Sequence, residues 1–284
     1  MSDIGDDGLP ISEVGEWALE KHKRLRSYVD ICKSTRRKYV DPTKSKSRGS
    51  SMPRTAGASY IDLFCGPGRS RIRETHQIID GSPLVAYRAS LDGGVPFSEI
   101  HVADVDESYC NGAQARVRAM GGNTFGYSGP AEETARQIVT QLHPEGLHFA
   151  FLDPFNLGGL SFGIIETLSS LERIDILVHL SLQDLQRNSE SYVATENSPL
   201  DRFAPGWRAE VDSKQALHSF RANLLIYWQG LVRRLGFEHQ RPELVTARGG
   251  QRLYWLIFLS RHPIAGKFWR EIRNTSGQGE LGFG

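Results

Sequence analysis

The chain predicts an α/β fold: a mostly parallel sheet with helices on both faces, closed by an antiparallel hairpin and preceded by a helical appendage. Three observations carry this. A short apolar strand, Tyr60-Ile61-Asp62-Leu63-Phe64, empties into the turn Gly66-Pro67-Gly68. Strand and helix patterns then alternate as far as Leu182, the rhythm of parallel strands joined by crossover helices. Finally, Phe237 to Thr246 and Leu253 to Ser260 flank Arg248-Gly249-Gly250-Gln251, two extended runs about a glycine turn.

Residues 14 to 38 place Val14, Trp17, Ala18, Leu25, Tyr28, Val29 and Ile31 near helical spacing among bases, which predicts one or two amphipathic helices in an appendage over 1–40. A flexible basic linker is expected over 41–58, poor in apolar residues. The core is assigned to 59–275, followed by a tail over 276–284. It opens with a strand from Ser59 to Cys65, and Arg69 to Asp80 reads as a lengthened loop. Gly81-Ser82-Pro83 then starts a helix to Ala89, with Ser82 as N-cap and Pro83 in the first helical position. Glu99 to Asp104 is the second strand, Glu107 to Met120 a helix stopped by Gly121-Gly122, and Asn123 to Tyr127 the third strand. Ala131 to Leu142 is helical. His148 to Asp153 is the fourth strand, nearly all apolar as a strand covered on both faces should be, and Ile174 to Leu182 is the fifth. Residues 184 to 213 are polar and read as an insertion or lid; Gln215 to Leu235 makes a long helix carrying Phe220, Leu224 and Trp228. No internal repeat is visible.

With 284 residues, 39% hydrophobic and 24% charged, the chain has the composition of a soluble globular protein with one core domain. No run approaches the roughly 18 apolar residues of a membrane helix. Met1 to Leu9 is acidic and lacks the layout of a secretory signal, so a cytoplasmic location is expected. The three cysteines, Cys32, Cys65 and Cys110, are widely spaced without a C-x-x-C pair, so neither a disulfide framework nor a metal site is expected. Net charge is only +1, yet twelve Lys and Arg lie between Lys21 and Arg54 against Asp30 and Asp41. That stretch is either a polyanion clamp or a solvated helix face and tether.

Chemistry concentrates at three strand ends. The glycine turn lets backbone approach a bulky ligand, and Asp62 lies just before it. One Gly-x-Gly pair followed by Arg69-Ser70-Arg71 departs from G-x-G-x-x-G, which disfavours a nicotinamide cofactor. Cys65 is either a nucleophile or a small residue packed under the loop; packing is favoured because no base adjoins it. Asp104, about forty residues on at the end of the second strand, can accept hydrogen bonds from both hydroxyls of a ribose. Asp106 is the backup, though favoured as the N-cap before Glu107. Ser128 is the polar residue available to an adenine after the third strand. Asp153-Pro154-Phe155, followed by Asn156, ends the fourth strand, whereas His179 reads as a satisfied core histidine. Arg69, Arg71 and Arg73 either meet phosphate or face water.

The strand and glycine loop resemble those of class I methyltransferases, with their Rossmann-like sheet. Asp153-Pro154-Phe155 resembles the Asp-Pro-Pro-Tyr signature of methyltransferases that act on exocyclic amino groups, with one proline in place of two. Together with Trp17, Lys21 and Tyr28, Gly81-Ser82-Pro83-Leu84, and Tyr254 to Pro263, these motifs identify the chain as similar to the three-Cys-motif partner family, TcmP, from about Trp17 to Ile272. The family's cysteines belong to a neighbouring partner protein. The resemblance implies a methyltransferase-like fold found in bacteria and their mobile elements, with Cys65 where alanine is more usual. It implies S-adenosylmethionine as cofactor, lined by Asp62, Phe64, Cys65, Gly66, Pro67, Gly68 and Ser82, with Asp104 on its ribose and Ser128 near its adenine. Asp153, Pro154 and Phe155 would lie at the methyl-acceptor side, and nucleic acid would be the substrate. Positioning supplies most of the acceleration in such a transfer, so the lack of a Ser-His-Asp arrangement is compatible with it. Two alternatives stay open: a catalytically silent subunit that binds nucleic acid or a partner protein, and a nucleotide-binding oxidoreductase.

Overall fold

Residues 3–41, 56–239, 241–246 and 252–275 are described by the structure, a computed structural model. They divide into two units: Met1–Phe151 with Leu171–Ile174, and Leu152–Ser170 with Asp175–Gly284. Most of the 41–58 linker, the Arg248-Gly249-Gly250-Gln251 turn and the 276–284 tail lie outside the described residues.

The first unit holds β1 (Asp3–Ile4), β2 (Pro10–Val14), α1 (Trp17–Ile31), α2 (Lys33–Val40), β3 (Ala58–Asp62), β4 (Arg69–Ile72), β5 (Ile78–Asp80), α3 (Ser82–Asp92), β6 (Glu99–Asp104), α4 (Glu107–Ala119), β7 (Thr124–Ser128), α5 (Ala131–Gln141) and β8 (Leu147–Leu152). Its main strands run in the order β8-β3-β6-β7, all parallel, with Tyr60 opposite both Phe149 and Ile100. Every residue of β3 is buried, Ser59 and Asp62 included, as in a parallel strand covered on both faces.

Two local readings need correction. Arg69 to Asp80 is not a plain loop: β4 and β5 pair antiparallel, β2 joins β4 in parallel, and β1 adds to β2. The alternation in β4, with Ser70 and Ile72 inward and the arginines outward, is a period-two signal masked by its charges. Arg69 is drawn to Asp6 (3.2 Å) and Asp7 (3.3 Å), and Arg71 to Asp3. Neither arginine simply faces water. The helix α3 starts one residue earlier than expected: Gly81 is its N-cap, in extended conformation, and Ser82 is its buried first residue. The cap position must press against Gly68, where a side chain would not fit.

A buried histidine in this sheet sets a pH dependence. His148 is 2% exposed; its Nε2 lies 3.1 Å from the His143 carbonyl and its Nδ1 2.7 Å from the Ser59 hydroxyl. A carbonyl only accepts, so Nε2 carries the proton and Nδ1 accepts from Ser59. Burial pushes the imidazole down from 6.5 to about 4. The folded state therefore binds fewer protons than the unfolded chain between these values. The contribution is whole above pH 6.5 and is lost as pH falls to about 4, worth about 3 kcal/mol. In His148→Asn, urea unfolding across this window should show a flatter pH slope; an unchanged slope would exclude His148 as its source.

The second unit holds a 3₁₀ turn (Leu157–Gly159), α6 (Phe162–Leu168), β9 (Ile174–Ser181), α7 (Leu182–Ala194), α8 (Pro199–Phe203), α9 (Trp207–Glu210), α10 (Leu217–Arg234), β10 (Glu238–His239), β11 (Glu243–Thr246), β12 (Arg252–Ser260) and α11 (Pro263–Thr275). β12 runs antiparallel to β9, β10 and β11. Residues 184–213 are largely helical, with Leu185, Leu200, Phe203 and Trp207 buried. The fold is thus mixed α/β, mostly parallel and helix-flanked, ending in antiparallel strands as the sequence predicts. Among the described residues no helix is long and apolar enough to cross a membrane.

Candidate functional site

The glycine loop is built on a buried carboxylate. Asp62 is fully buried at the end of β3; the Tyr60 hydroxyl donates to its Oδ2 (2.9 Å) and the Phe64 N–H to its Oδ1 (3.3 Å). Asp62 therefore shapes the turn from below. Gly66 and Gly68 both take left-handed conformations, φ +53° and +84°, for different reasons. A Cβ on Gly66 would meet nothing within 4 Å, whereas one on Gly68 would lie 3.0 Å from Ala113 Cα and from Leu84 Cδ1. Gly68 is packed against α3 and α4, and its carbonyl accepts the Gly81 N–H at 2.7 Å. Pro67 is buried, and its carbonyl accepts from Arg116 of α4, a residue the sequence reading passed over.

Asp104 closes β6 beside this loop. Its Oδ2 accepts the Gly66 N–H (2.9 Å) and its Oδ1 the Asp106 N–H (3.0 Å). Burial holds its carboxyl above the usual carboxylate range, opposed by those backbone donors. Asp106 is the N-cap of α4, as favoured, accepting from Ser108 N–H (2.8 Å) and Tyr109 N–H (3.3 Å). Ser128 lies directly opposite Asp104 in the β6–β7 register, and Val105, unremarked in the sequence, stands 79% exposed next to Asp104.

Cys65 and Cys110, distant in sequence, are both buried and influence each other's thiols, and the Cys110 thiol donates to the Val102 carbonyl (3.5 Å). Burial pushes the Cys65 thiol well up, while the neighbouring Cys65 thiol holds Cys110 down at about 7. Sequence spacing carried no sign of this contact, since it depends on α4 packing beside the loop.

The residues expected at the acceptor side follow β8. Pro154 is buried, Asp153 half-buried, and Phe155 is 98% exposed, an unusual position for a phenyl ring. His179 of β9 is buried, as read from the sequence. Its Nδ1 also lies 3.1 Å from Asp153 Oδ1, and its ring centroid is 4.4 Å from that of Tyr254. Asp184, in the first turn of α7, accepts the Leu157 N–H (2.9 Å), the Asn188 amide (2.7 Å) and the Tyr192 hydroxyl (3.3 Å). Ser181 caps α7 by accepting the Asp184 N–H, a Ser-x-x-Asp pattern readable from sequence.

No protein-family model matches the chain, and no curated protein matches it. Among solved structures, it is similar to Trm1 from Pyrococcus horikoshii with S-adenosyl-L-methionine, at 11% identity and TM-score 0.47 over 94% of this chain and 61% of that one. It is similar to M. capricolum TrmK with S-adenosyl-homocysteine, at 8% identity and TM-score 0.36 over 72% of this chain and 62% of that one. A third is magnesium protoporphyrin IX methyltransferase (ChlM) from Synechocystis PCC 6803 with bound SAM, at 12% identity and TM-score 0.38 over 87% and 83%. The chain thus spans less than two thirds of the length of the first two. With TM-scores below 0.5, any role is argued from this chain's own residues.

Proposed function

We propose that the chain is an S-adenosylmethionine-dependent methyltransferase acting on nucleic acid. The observation that carries the reading is the pairing of Gly66 with Asp104: a left-handed glycine with open space where a side chain would stand, and a carboxylate bonded to its N–H. A Cβ at Gly66 would fill that space, so the residues present fit a bulky nucleoside. When bound, the cofactor supplies a sulfonium methyl group. Asp104 accepts from ribose hydroxyls, Val105 and Ser128 meet the adenine, and buried Asp62 holds the loop's turn and places negative charge beneath it.

Phe155 supports a nucleobase as acceptor, because an exposed ring is a stacking surface. Asp153 then accepts a hydrogen bond from the target's amino group. The motif order resembling TcmP supports the same assignment, with a three-Cys-motif protein as partner and the cytoplasm as location.

Calorimetric titration of S-adenosylmethionine should give micromolar binding that weakens about tenfold to a hundredfold in Asp104→Ala, since hydrogen bonds to a charged group are lost. No binding by a folded wild type would overturn the reading. Asp153→Ala should retain cofactor binding and lose transfer of labelled methyl to RNA or DNA. Full transfer by that variant would remove Asp153 from the acceptor site.

A further inference from the structure

We propose that His179 is a positioning residue for Asp153. This rests on the reading of Asp153 as the acceptor-side carboxylate. His179 sits inside β9, opposite Leu256 of β12, with 7% side-chain exposure and the Tyr254 ring against it. A buried ring packed against Tyr254 has little room to turn, so its Nδ1, 3.1 Å from Asp153 Oδ1, is a fixed neighbour of that oxygen. The Asp153 side chain is 17% exposed, partly open to a ligand. A carboxylate offers about four lone-pair directions, and the imidazole addresses one side of it. A carboxylate fixed on one oxygen keeps the other in one place, which is what positioning an acceptor requires. The rest of the loop is held independently, because Asp184 accepts the Leu157 N–H. His179 thus sets the carboxylate and Asp184 sets the backbone behind it, both from the same stretch of chain.

The test uses the full chain labelled with ¹⁵N-histidine, without cofactor, at about pH 8, above the ordinary imidazole range. Of the nine histidines, His179 is assigned by the signal missing from His179→Asn. Its Nδ1 resonance is expected to move in Asp153→Asn. In parallel, labelled methyl transfer from S-adenosylmethionine to a mixture of total RNA and genomic DNA is compared among variants. Asn places its amide nitrogen where Nδ1 stands, and Gln places it where Nε2 stands. His179→Asn should stay within about threefold of wild type, while His179→Gln falls about tenfold to a hundredfold, with cofactor affinity unchanged in both. An unmoved Nδ1 resonance, or Gln rescuing as well as Asn, overturns the inference. Failure of the proposed function shows separately, as absent cofactor binding in calorimetry, while the imidazole spectra still decide the pairing.

Discussion

Gly68→Ala is expected to lower stability by about 3 kcal/mol and abolish cofactor binding, while Gly66→Ala costs about 1 kcal/mol and loses binding alone. Both positions have positive φ, so each substitution carries the strain of a left-handed alanine. The difference lies in what the new methyl meets. At Gly68 it would stand 3.0 Å from Ala113 Cα, which is backbone and cannot swing aside, and 3.0 Å from Leu84 Cδ1. The α3–α4 packing must open, and the bond from Gly81 N–H to the Gly68 carbonyl goes with it. At Gly66 the methyl meets nothing within 4 Å, so the protein folds and the methyl occupies the space assigned to the nucleoside. Urea unfolding of the two variants beside calorimetric titration would separate these effects. Equal stability of the two would show that the loop yields at Gly68 as well, and the packing argument would fail.

That loop was legible because its signals are local. An apolar strand with Asp62 near its end and two glycines two residues apart needs no partner to be read, and the strands Glu99 to Asp104 and His148 to Asp153 announce themselves by burial on both faces. What stayed hidden depends on pairs far apart in the chain. Asp3, Asp6 and Asp7 read only as an acidic stretch until Arg69 and Arg71 are placed beside them; β1 and β5 are too short for a periodicity signal, and the alternation in β4 is masked by its arginines. Helices α7 to α9 bury a few apolar residues at wide intervals, such as Leu185, Phe203 and Trp207, among Asn, Ser and Glu, so composition suggested a polar lid. His179 read as an ordinary core residue for the same reason: its burial is written in β9, whereas its contact with Asp153 comes only from the fold.

Arg116→Ala is expected to lower stability at neutral pH by about 2–3 kcal/mol and to loosen the glycine loop, an effect that shrinks in acid. The guanidinium is 3% exposed. Its Nε and Nη2 grip both oxygens of Asp7 (2.8 and 2.7 Å), and Nη1 donates to the carbonyls of Pro10 (2.7 Å) and Pro67. One side chain therefore ties the N-terminal segment to the loop, and alanine leaves the Pro10 and Pro67 carbonyls without this donor. The hydrogen bond from Arg116 holds the Asp7 carboxyl down at about 2 from 3.8. A depressed carboxylate contributes stability that is present above its unfolded value and is lost as pH falls through its folded one. The gap between wild type and Arg116→Ala should accordingly be full at neutral pH, narrow below about pH 4 and shrink further toward pH 2. Arg116→Lys keeps the charge without the fork, so it should restore only part of the stability. Denaturation midpoints of the three proteins at neutral pH and near pH 3 would check this. A pH-independent gap would mean that Arg116 acts through its carbonyl contacts alone, and full rescue by lysine would mean that charge, rather than the geometry of the guanidinium, holds the N-terminal segment to the loop.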